Sequence, residues 1–317
     1  MLSPPESEEL FAEIKIDPAT IENPRFEKFP RSGPTPWLDR QDAKVRIAER
    51  FGAGLINEAD AEQLRYWVEH GYIILKGAVE AELIDEIWAA YQAAIDTGLI
   101  QLHPEKISPD DPWPGRFLDP HFRVPEICRA MRHPEILRWI QLLMDRVPAP
   151  FQTITSHKGS QQGVHSDSIH MTTYPLGYLT AAWIALEDIH PDSGPLVYYS
   201  RSHRLPYLFS HELGIPAEDF HQRGYKSYTE RYEPAIQSMI RERQLEPSHF
   251  IAQKGDVLIW HANLLHGGSA RRDLHLSRRA LVCHYFVKGA LCYHDLSSSR
   301  SRPFSGTCLV RIEESTS

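Results

Sequence analysis

The chain has 317 residues, 42% of them hydrophobic and 24% charged, with a formal charge of -8. That length suits one large domain or two small ones with a sizeable core, and the negative balance gives no electrostatic reason to bind nucleic acid or an anionic membrane. Cys128, Cys283, Cys292 and Cys308 form no Cys-x-x-Cys pair, no run of 18 apolar residues occurs, and Met1-Leu2-Ser3-Pro4 begins no charged-then-apolar leader; a cytoplasmic protein without a membrane partner is expected.

Residues 1–50 mix prolines with charges and are predicted to be a Pro-rich arm laid on the domain. Asn57 is a good N-cap for a helix whose apolar stripe, Leu64, Trp67 and Val68, stops at Gly71, and Tyr72 to Leu75 then reads as a short buried strand. Leu83, Ile84, Ile87, Trp88, Tyr91 and Ile95 recur at helical spacing up to Gly98, and a further helix begins at Pro134 with Ile136, Leu137, Ile140, Leu143 and Met144 inward. Residues 51–150 are therefore expected to be mainly helical.

After Pro150 the runs become short, β-branched and aromatic: Phe151 to Ser156, Tyr178 to Ile189, Leu196 to Tyr199, Val257 to His261 and Arg279 to Val287. Strands joined by Gly and Pro turns without intervening helices predict an antiparallel sandwich or barrel over 151–290. Residues 201–250 are a long insertion in it, charged and rich in Tyr and Arg, and 291–317 form a tail. Residues 51–317 are taken as a single domain.

One triplet carries chemistry. In His165-Ser166-Asp167 the imidazole and the carboxylate are two residues apart, so both can face one metal ion from a strand end. Two imidazoles and one carboxylate on one side of iron(II) leave three positions open, as oxygen activation requires. The second His-x-Asp, His190-Pro191-Asp192, sits in a turn and is read as structural. A third ligand has to come from a distant strand, and both His261 and His266 stand near the end of one. Arg278 enters an otherwise apolar row with Ala280, Val282, His284 and Phe286, and needs a partner: an internal carboxylate or that of a bound dianion.

Gly71-Tyr72-Ile73-Ile74-Leu75, His165-Ser166-Asp167, Ala182-Trp183-Ile184-Ala185-Leu186, Ser193-Gly194-Pro195, Ser200-Arg201-Ser202-His203, Trp260-His261-Ala262-Asn263-Leu264-Leu265-His266-Gly267-Gly268-Ser269 and Arg278-Arg279-Ala280-Leu281 follow one another in an order that resembles the phytanoyl-CoA dioxygenase family of iron(II)/2-oxoglutarate oxygenases, which includes ectoine hydroxylases. The resemblance implies a mainly β fold with flanking helices, built on a double-stranded β-helix (a cupin-like jelly roll). It maps the iron(II) ligands onto His165, Asp167 and His266, and the anchor for the distal carboxylate of 2-oxoglutarate onto Arg278. Ser269 matches a serine that assists that carboxylate, and Gln152, Thr155 and Trp183 stand where relatives contact cosubstrate or substrate. The interval from His266 to Arg278 is one residue longer than the family's usual spacing, which leaves Arg279 and Arg272 as alternatives, Arg279 being on the opposite face of the strand.

The implied reaction consumes O2 and 2-oxoglutarate, releases succinate and carbon dioxide, and hydroxylates an unactivated carbon of a small-molecule metabolite or natural product. Related halogenases have a small residue in place of the carboxylate, so Asp167 points to oxygenation. Tyr198, Arg201, His203, Arg204 and the 205–250 stretch are candidates for the substrate pocket. A non-redox cupin-like metalloenzyme and a metabolite-binding protein with a degenerate site are the competing classes. Neither the substrate, nor the choice of hydroxylation over desaturation, cyclisation or epoxidation on the same ligand set, nor the oligomeric state follows from the sequence.

Overall fold

Alternate side chains along the central strands belong to two different hydrophobic cores, and this division places the site. The computed structural model describes residues 34–102, 110–297 and 299–300. The helical first half contains α1 (Ala43–Gly52), α2 (Glu58–His70), β1 (Tyr72–Leu75), α3 (Ala81–Asp96), β2 (Phe117–Leu118), α4 (Pro125–Met131) and α5 (Pro134–Met144). The strand-rich part follows with β3 (Pro148–Ser156), β4 (Thr172–Tyr174), β5 (Thr180–Ala185) and β6 (Leu196–Tyr198). After the helices α6 (Ala217–Arg223) and α7 (Glu233–Glu242) come β7 (Ser248–Phe250), β8 (Val257–His261), β9 (His266–Gly268), β10 (Ala280–Val287), β11 (Leu291–His294) and β12 (Ser299–Arg300).

The strands form an antiparallel six-stranded sheet ordered β1-β8-β5-β10-β3-β2, and two three-stranded sheets, β7-β6-β9 and β12-β11-β4. On the large sheet Ala182, Ile184, Ile259, Leu281, Cys283 and Tyr285 pack into a core with Leu64, Ile84, Tyr91, Ile136 and Ile140 of the helices. Their sequence neighbours Ala181, Trp183, Leu258, Trp260 and Ala280 point the other way, against Leu196, Tyr198 and Phe250 of the β7-β6-β9 sheet. Period-two geometry thus gives each strand one helix-covered face and one interior face. Every candidate ligand has to lie on the interior face or at its rim.

The predicted helix boundaries have visible causes. Asn57 Oδ1 accepts a hydrogen bond from Asp60 N at 2.8 Å, and Gly71 closes α2 in the left-handed region at φ 81°. A Cβ on Gly71 would lie 2.3 Å from His203 Nδ1. Gly71→Ala is expected to destabilise the chain by about 1–3 kcal/mol, through strain plus the clash; an unchanged midpoint in urea unfolding would contradict this.

Several expectations need correction. Residues 34–50, expected as part of a Pro-rich arm, contain most of α1 and bury Trp37, Leu38 and Ile47 in the helical core; residues 1–33 and Cys308 lie outside the described residues. β3 begins at Pro148 instead of Phe151. Pro148 and Pro150 pair with Val287 and Tyr285, while β2 reaches only Ile154 and Thr155 on the other side, so the missing N–H groups fall on an open edge. Strand structure also continues past 290, as β11 pairs with β4. No described helix is long and apolar enough to cross a membrane.

Candidate functional site

His165 and Asp167 flank Ser166 on the approach to a short 3-10 turn, Asp167–Ile169. A backbone bridge clips this segment to the start of β9: His165 N donates to His266 O and His266 N to His165 O, both at 2.9 Å. This backbone pair holds two residues 101 apart in sequence side by side. The ligand atoms of His165, Asp167 and His266 lie within 4.8 Å of one another, and all three side chains are buried.

Their hydrogen bonds settle which atoms are available. His165 Nδ1 lies 2.8 Å from Gly163 O, and His266 Nδ1 lies 2.9 Å from Leu264 O. A carbonyl only accepts, so each Nδ1 carries a proton and Nε2 is the atom each ring can offer a metal; against its burial, Asp167 raises the His266 imidazole, so that Nε2 can also hold a proton shared with the carboxylate. Asp167 Oδ2 accepts from Trp260 Nε1 at 2.7 Å, leaving Oδ1 turned toward His266 Nε2 at 3.5 Å and His165 Nε2 at 3.9 Å. Burial alone would raise the Asp167 carboxyl, but the His266 imidazole and hydrogen bonds from His266 and His284 hold it well below its ordinary value. Burial pushes His165 down to about 3, which keeps its imidazole neutral as a ligand must be. Two neutral-capable Nε2 donors and one ionised oxygen make a donor set that fits a divalent metal.

Arg278 sits in the same cavity, of about 860 Å3. It is 4% exposed, its Nη2 donates to Lys158 O at 3.2 Å, and its Nε finds no partner. Burial lowers it to about 10, so it is still a cation at neutral pH. A desolvated guanidinium with unused N–H groups fits a carboxylate of a small dianion. Arg279, on the opposite face, stacks over Trp88 at 4.7 Å and pairs with Glu187 at 3.4 Å; Arg272 is exposed beside Asp192. Neither lines the cavity.

A family model described as phytanoyl-CoA dioxygenase (PhyH) matches residues 67–280 of this chain. The chain belongs to the phytanoyl-CoA dioxygenase family. It is an enzyme of the iron(II)- and 2-oxoglutarate-dependent dioxygenase class, with O2 as cosubstrate. The peroxisomal phytanoyl-CoA dioxygenase of Mus musculus is 21% identical over 260 residues, covering 74% of this chain and 71% of its own. That of Homo sapiens is 22% identical over 248 residues, covering 72% and 69%. Among solved structures, EctD from S. alaskensis with 2-oxoglutarate and 5-hydroxyectoine superposes with a TM-score of 0.56 at 17% identity, over 78% of this chain and 84% of that one. The epimerase SnoN in complex with Fe3+, alpha ketoglutarate and nogalamycin RO gives 0.55 at 18%, over 74% and 85%. These likenesses show the cupin-like jelly roll expected from the sequence.

Within this phytanoyl-CoA dioxygenase family site, the other expected residues divide. Gln152 and Trp183 line the cavity, with the Arg278 guanidinium 5.5 Å from the Trp183 ring centre. Thr155 does not line it: Ile154 and Ser156 face the cavity, so the alternation of β3 turns Thr155 away. Ser269 does not line it either, because its hydroxyl donates to Pro195 O. His261, the open alternative for the third ligand, faces away from the cavity that Trp260 lines; its Nδ1 accepts from Asn263 N and its Nε2 meets Asp39. His190 is in the exposed turn expected of it, its Nδ1 accepting from Asp192 N.

The insertion reaches the site through the 205–250 stretch, as expected, and not through the four single residues named beside it. Arg201 pairs with Glu69, Arg204 donates to Val68 O, and neither they nor Tyr198 and His203 line the cavity. Phe220, Tyr225, Tyr228 and Thr229 do. His284 and Trp260 were also missed. His284 Nε2 is 3.8 Å from Asp167 Oδ1, and its place three alternations after Arg278 on β10 was the available signal. Trp260 had a weaker one, a two-residue step from Leu258 on the interior face.

Proposed function

We propose that this dioxygenase hydroxylates an unactivated carbon of a small-molecule metabolite or natural product, with His165, Asp167 and His266 holding iron(II) and Arg278 holding the distal carboxylate of 2-oxoglutarate. The observation that carries the reading is the shared cavity: it is lined both by three convergent ligand atoms and by a buried guanidinium with unused N–H groups. Iron(II) with 2-oxoglutarate, when bound, couples decarboxylation of the keto acid to O2 cleavage, one oxygen atom entering succinate and the other a substrate carbon.

The residues of the chain supply geometry and charge. His165 and His266 offer Nε2 because backbone carbonyls occupy their Nδ1–H groups. Trp260 occupies one Asp167 oxygen and leaves the other turned toward the imidazoles, which supports single-oxygen ligation and three open positions for cosubstrates. Trp183, Leu196 and Val282 line the cavity with Arg278 and provide apolar walls that strengthen its grip on an anion. A carboxylate at 167 stands where related halogenases admit halide, which supports oxygenation.

Trp260→Phe keeps the ring and deletes the N–H. Iron(II) or manganese(II) affinity, titrated anaerobically, is expected to fall about 10–100-fold, the usual cost of losing a group that orients a ligand; unchanged affinity would show that the indole does not hold the carboxylate. The reaction outcome needs product analysis, because neighbours with this fold include a protein named as an epimerase and one named as a carbocyclase, SnoN and SnoK. Under isotopically labelled O2, one labelled oxygen is expected in the turned-over substrate and one in succinate. Labelled succinate beside a product without added oxygen would overturn hydroxylation while leaving the dioxygenase class intact.

A further inference from the structure

Three polar atoms of residues lining the cavity have no hydrogen-bond partner although they are buried: His170 Nδ1, His170 Nε2 and Tyr228 Oη. Orphaned groups of this kind are rare in folded proteins and each costs stability. Here they sit together, with the His170 and Tyr228 rings 5.1 Å apart. Aromatic rings surround them: Tyr225 is 5.8 Å from His170, and Phe220 is 5.2 Å from Tyr225 and 5.4 Å from His294. Tyr225 is 50% exposed, which puts the outer end of this wall at solvent.

The backbone gives a second indication. Tyr228–Tyr232 is a π-helical turn, a form concentrated at functional sites. Its last residue reaches the metal-ligand segment, as Tyr232 Oη accepts from Ser166 N at 3.0 Å. The element carrying the orphaned hydroxyl is therefore fixed to the residue between His165 and Asp167.

The charges narrow what can fill the recess. Among the described residues, the cavity's charged groups other than Asp167 and Arg278 are Arg116 and Asp119. Arg116 donates to Gln162 Oε1, and Asp119 Oδ1 accepts from Thr153 N. Burial keeps the His294 ring neutral. Several phosphates inside such a recess would find one guanidinium, that of Arg116, between them.

We propose that this recess binds the substrate as a neutral ring compound carrying hydroxyl or ketone oxygens, hydrogen-bonded by His170 and Tyr228 and packed on the Phe220–Tyr225 wall, and that a coenzyme A thioester is not the substrate. The proposal rests on the same cavity being the dioxygenase site. Flat rings match the aromatic wall in offset or edge-on contact, and ring oxygens supply the partners that the imidazole and the phenol lack.

The test is equilibrium binding to the metal-free full chain, so its failure leaves the iron reading untouched, and a failure of iron binding leaves this result standing. Naringenin and 1,4-dihydroxyanthraquinone serve as neutral oxygenated ring probes, and decanoyl-coenzyme A as the thioester. At least one ring probe is expected to bind, and decanoyl-coenzyme A neither to bind nor to displace it. Tyr228→Phe and His170→Phe are each expected to weaken the bound ring probe about ten-fold, the loss of one hydrogen bond. Tyr228→Phe removes a single oxygen and guards against a folding defect in the histidine variant. Binding of decanoyl-coenzyme A in preference to both ring probes, no binding of either ring probe, or ring binding unchanged by Tyr228→Phe would overturn the proposal.

Discussion

His266→Ala abolishes the visible absorption that iron(II) and 2-oxoglutarate are expected to produce together on this protein without O2, and His190→Ala leaves it intact. His266 contributes one of three converging ligand atoms, with Nε2 at 3.5 Å from Asp167 Oδ1. Groups that merely orient ligands contribute about 10–100-fold in affinity, so deleting a ligand itself is expected to exceed that range. His190 has its Nδ1 occupied by the Asp192 amide in an exposed turn. Alanine at 266 also strips Asp167 of the neighbour that most lowers its carboxyl, so His266→Gln, which keeps a polar group there, separates lost ligation from lost folding. The opposite pattern, band lost at 190 and kept at 266, would move the ligand set.

Arg278→Met is expected to raise the KM for 2-oxoglutarate by at least about 100-fold while sparing the fold. Two charge-assisted hydrogen bonds to a carboxylate are worth roughly 3 kcal/mol or more together, and each 1.4 kcal/mol is ten-fold. Without cosubstrate the same guanidinium is a burden: burial pushes it down to about 10, and its Nη2 donates to a backbone carbonyl, that of Lys158. Replacing a poorly compensated buried charge by an apolar side chain is often neutral or stabilising, so thermal stability of the metal-free variant is expected to match or exceed that of the parent. Arg279→Met, which lies over Trp88 on the helical side, should leave the KM unchanged. A KM effect at 279 in place of 278 would assign the carboxylate to the other face of β10.

Much of this arrangement was legible in the residues, for reasons that can be named. Asn57 and Gly71 marked the ends of α2 because capping and left-handed closure are local chemistry. The interior position of Arg278 followed from period-two counting along β10. The same counting excludes Thr155 once Gln152 is placed inside, since residues three apart on a regular strand face opposite ways, and it separates His261 from Trp260. Ser269 was lost to a different cause: its hydroxyl had a nearer acceptor in Pro195 O, a tertiary contact with no local signal. Which residues of the 205–250 stretch form the aromatic wall was illegible for a related reason. The insertion announced itself by composition, but only the π-turn and its anchor at Ser166 decide that Tyr228 faces the cavity while Arg201 and Arg204 pair outside it.

The central claim is that one cavity holds iron(II) through His165, Asp167 and His266 and 2-oxoglutarate through Arg278. Anaerobic titration of the purified chain with iron(II) and 2-oxoglutarate, followed by visible absorption, tests it most directly. A charge-transfer band that requires both additions and saturates at one equivalent of each is the expected result. No band with both present, or a band indifferent to 2-oxoglutarate, would contradict it.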